Sequence, residues 1–441
     1  FWTNFLEIAP RNAANTNIVC WGDRCLALFE AGQPYRVDAS TLETSGVETL
    51  GGALRQGLPF SSKLPSVDVA LGKLLDVLRV ASPLPEGVRL GGDAFSAHPH
   101  TCKATGRTVT YSYRINVVFR GAVPRLETVF TFYELDDQLA VLSEMDYSLD
   151  GYAFVHDFQV TDGHYVLIQN PVSLNLVPFL LGTKSAVESV RFHRDRNTKV
   201  HLIPRPAEPN LLANACPTRD AATVVEVDPC FIFHLSNAHE ERRRGGGEGT
   251  SSTRFTVDCV RYPEMPDFQD FMGHGAGFEY VHPERQPKSE LWRIEIDKEA
   301  GEARSRRVSE RVLEFACCAP DATVPRYTYA AAALHPYLNM PQQAIARLDM
   351  DTGETALWTR GTRYYVGEPQ FIAKADAVDV DVDDGWLVAM CFDAAALRSE
   401  MIVMDAADIE GGPVAVCKLR HSVPHGLHGG WSTSYFGPDE E

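Results

Sequence analysis

A short alternating strand that runs into an aspartate–glycine turn recurs in this chain, and it constrains the fold more than any other feature. It appears as Tyr35-Arg36-Val37-Asp38, and again as Trp292-Arg293-Ile294-Glu295-Ile296-Asp297 followed by Gly301-Glu302. A third copy is Ala346-Arg347-Leu348-Asp349-Met350-Asp351-Thr352-Gly353-Glu354. Other segments read as strands because β-branched and aromatic residues are bounded by glycine, proline, asparagine or aspartate. They include Asn17–Trp21, Cys25–Glu30, Thr108–Phe119, Thr128–Tyr133, Tyr165–Gln169, Val225–Phe233, Phe255–Tyr262, Leu291–Ile296, Arg326–Ala330, Trp386–Phe392 and Met401–Met404. Trp21-Gly22-Asp23-Arg24 and Thr161-Asp162-Gly163-His164 have the chemistry of tight hairpin turns. Helical periodicity is scarce, and its best instance is Val67–Val80. Repeated hairpins in an all-β chain favour a propeller, with a large sandwich or barrel as alternatives.

Composition narrows the function classes. Of 441 residues, 44% are apolar, which is enough to build a large core rather than a disordered chain. Lysine plus arginine is 41 and aspartate plus glutamate is 59, a net charge of −18, which argues against a general nucleic-acid binder. No run of about 18 apolar residues is present to span a membrane as a helix. The ten cysteines include no C-x-x-C pair and predict a reducing, intracellular setting rather than a disulfide framework. The chain begins at Phe1, so any targeting signal is not visible. The Arg-Arg-Arg-Gly-Gly-Gly run within Glu240–Thr253 reads as a surface loop. No strand–glycine–helix frame surrounds it to make an anion site.

Four of the 14 histidines have unusual settings. His98 sits in Ala97-His98-Pro99, His156 in Val155-His156-Asp157-Phe158, His234 in Phe233-His234-Leu235-Ser236-Asn237-Ala238, and His428 in Pro424-His425-Gly426-Leu427-His428-Gly429. Each lies at a strand end or turn, and imidazole suits zinc, copper, iron and nickel. Strand ends facing one axis would bring such distant residues together. His100, His239 and His425 lie close to these in sequence and read as structural or exposed.

These pieces, with Ala14-Asn15-Thr16-Asn17, Leu26-Ala27-Leu28-Phe29-Glu30, Pro34-Tyr35, Thr41-Leu42-Glu43-Thr44, Glu314-Phe315, Gly367-Glu368-Pro369 and Asp383-Asp384-Gly385-Trp386, resemble the carotenoid cleavage oxygenase family. That family includes carotenoid and apocarotenoid dioxygenases, stilbene-cleaving enzymes and retinoid isomerohydrolases. The pieces fall in family order along nearly the whole chain. The resemblance implies a seven-bladed β-propeller with a helical cap, with residues 1–441 forming one domain. It also implies one Fe(II) on the axis, held by His98, His156, His234 and His428. Glu30, Glu314 and Glu368 match the carboxylates that stand one layer out, although Ala316 departs from the family's usual proline. Four neutral imidazoles would leave the iron its full charge and up to two open octahedral positions. Carboxylates accepting the outer ring N–H groups would fix tautomer and direction.

The implied reaction is cleavage of a conjugated C=C bond by O2 to give two carbonyl products. No catalytic side chain is assigned beyond the metal centre. Stilbene-cleaving relatives carry a lysine where this chain has Phe29, so an apolar carotenoid or apocarotenoid is the expected substrate. Rivals are stilbene cleavage or polyene isomerisation on the same iron. From another class, the rival is a silent propeller that binds polyenes or partners. A membrane-resident substrate suggests a peripheral docking patch, for which Val172, Leu174, Leu176, Val177, Phe179, Leu180 and Leu181 are candidates. The plastid is the expected compartment if the source is a photosynthetic eukaryote. Relatives carry a further stretch before the Ala-Asn-Thr-Asn piece, which predicts an N-terminally incomplete chain lacking a first-blade region.

Overall fold

A computed structural model of the chain describes residues 12–21, 24–54, 93–120, 123–175, 178, 183–184, 187–206, 221–244, 251–267, 285–320, 324–336, 338–339, 341–375, 383–433 and 435. The described residues form seven antiparallel sheets, six of them arranged as the blades of a propeller and the seventh a two-stranded hairpin. The first blade contains Asn17–Trp21 (β1), Arg24–Leu28 (β2), Tyr35–Val37 (β3) and Thr44–Val47 (β4). The second contains His100–Thr101 (β5), Thr108–Arg120 (β6), Val123–Leu135 (β7) and Val141–Asp150 (β8). In the third, Phe158–Val160 (β9) and His164–Gln169 (β10) are followed by a separate hairpin, Val172–Leu174 (β11) and Val190–Phe192 (β12). The chain then returns as Thr198–Pro204 (β13) and Thr223–Val227 (β14). The fourth contains Phe231–Arg244 (β15), Ser251–Tyr262 (β16), Glu290–Asp297 (β17) and Glu302–Arg307 (β18). The fifth contains Leu313–Cys317 (β19), Tyr327–Ala333 (β20), Gln342–Asp349 (β21) and Thr355–Trp358 (β22). In the sixth, Tyr364–Val366 (β23) and Gln370–Ala373 (β24) both pair with Gly385–Asp393 (β25), followed by Arg398–Asp405 (β26) and Pro413–Lys418 (β27).

Two expectations are corrected here. The blades number six among the described residues, not seven. No helical cap is present among them either, since their only multi-residue helices are the 3-10 turns Leu50–Gly52 and Val187–Ser189. The physical reason is the period of the pattern. Alternation such as that of β8, buried at every second residue from Ser143 to Leu149, holds strands and gives no helix a continuous apolar stripe. The number seven came from resemblance and not from counting hairpins. The Val67–Val80 segment lies outside the described residues. A smaller correction concerns Val225–Phe233, which is two strands in different blades, divided at Asp228-Pro229-Cys230.

The recurrent hairpin occupies one place in the blade: the turn from third to fourth strand. Five aspartates end or follow a third strand and fold back on their own turn. Asp38 Oδ1 accepts Thr41 N–H at 2.8 Å, Asp136 Oδ1 accepts Ala140 N–H at 2.8 Å, and Asp297 Oδ1 accepts Ala300 N–H at 3.0 Å. Asp349 Oδ1 accepts Asp351 N–H at 2.9 Å and Asp405 Oδ1 accepts Ala407 N–H at 3.0 Å. Gly353 completes its turn with φ +77°, where an added Cβ would meet Val308 O at 2.8 Å.

Five apolar cores fill five of the spaces between blades. Leu26, Phe95 and Leu135 join the first two blades, and Tyr111, Phe132 and Tyr165 join the next pair. Leu202, Val257 and Ile294 lie between the third and fourth. The fifth blade shows how a strand serves two interfaces. Ala330 and Ala332 of β20 pack toward the fourth blade, whereas Tyr329 and Ala331 pack toward the sixth. Small residues on both faces let neighbouring sheets approach closely. The sixth blade meets the first through the returning chain, where His428 N–H donates to Thr16 O at 3.2 Å.

Candidate metal centre

The first strand of each blade lies nearest the axis, and the candidate residues sit on or beside these strands. His98 precedes β5, His156 precedes β9 and His234 lies within β15. His428 comes from the segment that follows β27 and returns to the first blade. The register of β15 against β16 slips between Ile232 and Leu235 and again before Asn237, so His234 sits in a bulge. A bulge re-aims a side chain that regular alternation would direct elsewhere.

The structure brings these four rings together, with one nitrogen from each lying within 4.8 Å of all the others. Ring centroids of His98 lie 4.6 Å from His156, 5.4 Å from His234 and 4.5 Å from His428. His156 and His234 are buried, and the His428 ring is 8% exposed. No other group of metal-ligating side chains with this convergence occurs among the described residues.

Three carboxylates set the tautomers. His156 Nδ1 lies 2.6 Å from Glu30 Oε1, His234 Nδ1 lies 2.7 Å from Glu314 Oε2, and His428 Nδ1 lies 2.8 Å from Glu368 Oε1. An ionised carboxylate can only accept, so each Nδ1 carries the proton, and in the neutral ring each Nε2 then presents a lone pair. The second oxygen of every carboxylate is also held. Thr16 Oγ1 donates to Glu30 Oε2 at 3.0 Å, Tyr262 O–H donates to Glu314 Oε1, and Gly429 N–H donates to Glu368 Oε2 at 3.0 Å. Burial alone would raise the Glu30 carboxyl, but His156 and Thr16 outweigh it and hold the pKa to about 2. Burial likewise opposes ionisation of Glu314, yet His234 and Tyr262 bring it below the ordinary carboxylate range. Burial and the neighbouring rings hold His98 well below the usual imidazole range, and burial also lowers His156.

The donor set fits a cation. His234 Nε2 is buried with no hydrogen-bond partner, a costly state for a lone pair unless an ion occupies the space before it. His98 Nε2 and His156 Nε2 are 2.9 Å apart. Imidazole nitrogens about 2.0–2.1 Å from a first-row ion such as zinc, set at right angles, are about 3 Å from one another. Neutral imidazoles suit iron among other transition metals, so the cluster is compatible with a non-haem iron site.

The neighbouring histidines stay outside. His100 Nε2 meets Asp157 Oδ1 at 3.0 Å, His239 lies further along β15, and His425 is exposed three residues before His428. Asp157 is a residue that sequence reasoning passed over. It is buried, accepts Phe158 N–H at 2.7 Å and Leu235 N–H at 2.8 Å, and so fixes the backbone beside both His156 and His234. Tyr262 was also missed, and nothing in its local sequence marks it. Phe233 stacks on His156 with centroids 3.9 Å apart, and Phe315 lies 5.3 Å from His428. Of the suggested membrane patch, Val172 and Leu174 form β11. Val172 is buried in the core between the fourth and fifth blades, and Leu174 is half-buried. Leu176, Val177, Phe179, Leu180 and Leu181 lie outside the described residues. No described helix is long and apolar enough to cross a membrane.

Four imidazoles converging on the axis of a β-propeller, three of them backed by carboxylates, define a metal-binding propeller. The family model described as retinal pigment epithelial membrane protein matches residues 2–433. The apocarotenoid-15,15'-oxygenase of Synechocystis is 32% identical over 433 residues, covering 97% of this chain and 74% of that protein. The chloroplastic carotenoid cleavage dioxygenase 7 of Oryza sativa is 27% identical, covering 96% of this chain and 71% of that protein. The crystal structure of cobalt-substituted Synechocystis ACO superimposes with a TM-score of 0.74 at 29% identity, covering 97% of this chain and 77% of that one. The chain belongs to the retinal pigment epithelial membrane protein and carotenoid cleavage oxygenase family.

Proposed function

We propose that this protein is a non-haem Fe(II)-dependent dioxygenase that cleaves a conjugated C=C bond of a carotenoid or apocarotenoid to carbonyl products. One observation carries the reading: the buried, unpartnered Nε2 of His234 among three other converging rings, in a chain 32% identical to an apocarotenoid oxygenase. His98, His156, His234 and His428 would hold the iron, which when bound supplies the activation of O2. Glu30, Glu314 and Glu368 keep the protons on the outer nitrogens and the rings in place. Phe233 and Phe315 give the site an apolar flank that suits a polyene. Phe29 beside Glu30 offers no charge to a phenol, which favours the polyene over a stilbene. Residues 1–441 act as one domain in this reading. Docking to a membrane surface would be peripheral. The chloroplastic relative from Oryza sativa supports a plastid setting.

The test is to purify the chain anaerobically with Fe(II) and supply O2 with β-carotene, an apocarotenal and a hydroxystilbene in parallel. Shortened aldehydes or ketones from a polyene, read by mass, are expected. Products from the stilbene alone would transfer the reading to stilbene cleavage. An unchanged carbon count with altered geometry would make the protein an isomerase. A chain that takes up no iron would overturn the proposal.

A further inference from the structure

The hairpin that carries Thr16 and Glu30 at its open end carries two cysteines near its turn. Cys20 on β1 lies directly opposite Cys25 on β2, next to the pair Trp21–Arg24 that ends the ladder. Their Sγ atoms are 3.4 Å apart. Opposed Cα atoms in an antiparallel ladder are about 4.5–5.5 Å apart, within the range of about 4.4–6.8 Å that a disulfide spans. Cys25 is 8% exposed and Cys20 is the more accessible. Among the described cysteines, no other two face each other across a strand pair.

We propose that Cys20 and Cys25 form a dithiol–disulfide couple, closed by small disulfide oxidants such as glutathione disulfide and reopened by thiols. The steps balance as an exchange. The Cys20 thiolate attacks one oxidant sulfur and expels one thiolate, leaving a mixed disulfide. The Cys25 thiolate then attacks Cys20 Sγ and expels the second. Two protein thiols lose two electrons and two protons, and one oxidant disulfide becomes two thiols. Closure joins β1 to β2, whose far ends hold Thr16 against Glu30 and, through Asn17 Nδ2, Ala97 O at 2.8 Å beside His98. Burial, and then the contact with Cys25, push the Cys20 thiol up to about 12. Exchange is therefore slow at neutral pH and gains about tenfold per pH unit as the thiolate fraction rises.

The experiment needs no metal and is independent of the proposed reaction. The folded protein is equilibrated at stepped ratios of reduced to oxidised glutathione, alkylated and digested with trypsin. Trypsin cuts after Arg24, so closure joins the peptides 12–24 and 25–36 into one species two hydrogens lighter than their sum. That species, reversed by thiol and absent in the half-exposed Cys20→Ser variant, is the expected result. Both peptides alkylated at every ratio, or a mixed disulfide that never resolves, would overturn the couple.

Discussion

Two buried histidine–glutamate pairs in this protein look alike and do different things. At the axis, His234 Nδ1 lies 2.7 Å from Glu314. At the start of β10, His164 Nδ1 lies 2.6 Å from Glu240, which sits near the end of β15. Both pairs are buried, and both carboxylates are held below their ordinary range. The difference lies on the other side of the ring. His164 Nε2 is met by Lys298 Nζ at 2.9 Å, a donor that uses the lone pair. His234 Nε2 meets no partner and points among three further rings. A carboxylate behind an imidazole is therefore no mark of a metal site. Convergent lone pairs with nothing to accept are.

The largest effect should separate these two residues completely. His234→Ala is expected to leave iron content at background, measured by metal analysis, with no cleavage products. His164→Ala should keep full iron and turnover while losing about 1–3 kcal/mol of stability, because Glu240 and Lys298 lose their shared partner. Iron retained in His234→Ala would break the comparison, as would iron lost from a folded His164→Ala.

A smaller contrast concerns the carboxylates. Glu314→Gln keeps shape and volume but removes the charge that holds the His234 proton in place. Partners of this kind typically alter metal affinity or activity about 10–100-fold. Glu240→Gln should alter neither. Titration of the apoproteins with Fe(II) under argon reads the difference directly. Equal affinities in the two variants would show that Glu314 positions nothing.

The sequence made some of this legible and hid the rest for physical reasons. The hairpins were visible because alternation and turn chemistry are local, and the structure places the three copies at one position in three blades. The six-blade count was not visible, since it depends on which hairpins share a sheet. The Asp228-Pro229-Cys230 break was missed because apolar residues continue on both sides, although Pro229 was a signal against one strand. The four axial histidines stood out only through their flanking motifs. No spacing rule joins His156 to Glu30 across 126 positions or His234 to Glu314 across 80. The contacts of Tyr262, Asp157 and the His164–Glu240–Lys298 chain cross between blades. They depend on packing that follows only once the ring is assembled.

The finest distinction between the two pairs is in their acid response. His164 and Thr161, against the opposing effect of burial, lower the Glu240 carboxyl below its unfolded value. A depressed carboxylate stabilises the fold fully above the unfolded pKa, about 4.3, and that contribution fades as pH falls through the lower folded value. Glu240→Gln removes the group that titrates. The melting temperature of the parent should therefore exceed that of Glu240→Gln at neutral pH, and the gap should shrink steadily once pH drops below the ordinary carboxylate range. A gap that stays constant on acidification would mean that Glu240 serves as a packed side chain and not as a charge. The two histidine–glutamate pairs would then differ in their electrostatics as well as in what their outer nitrogens meet.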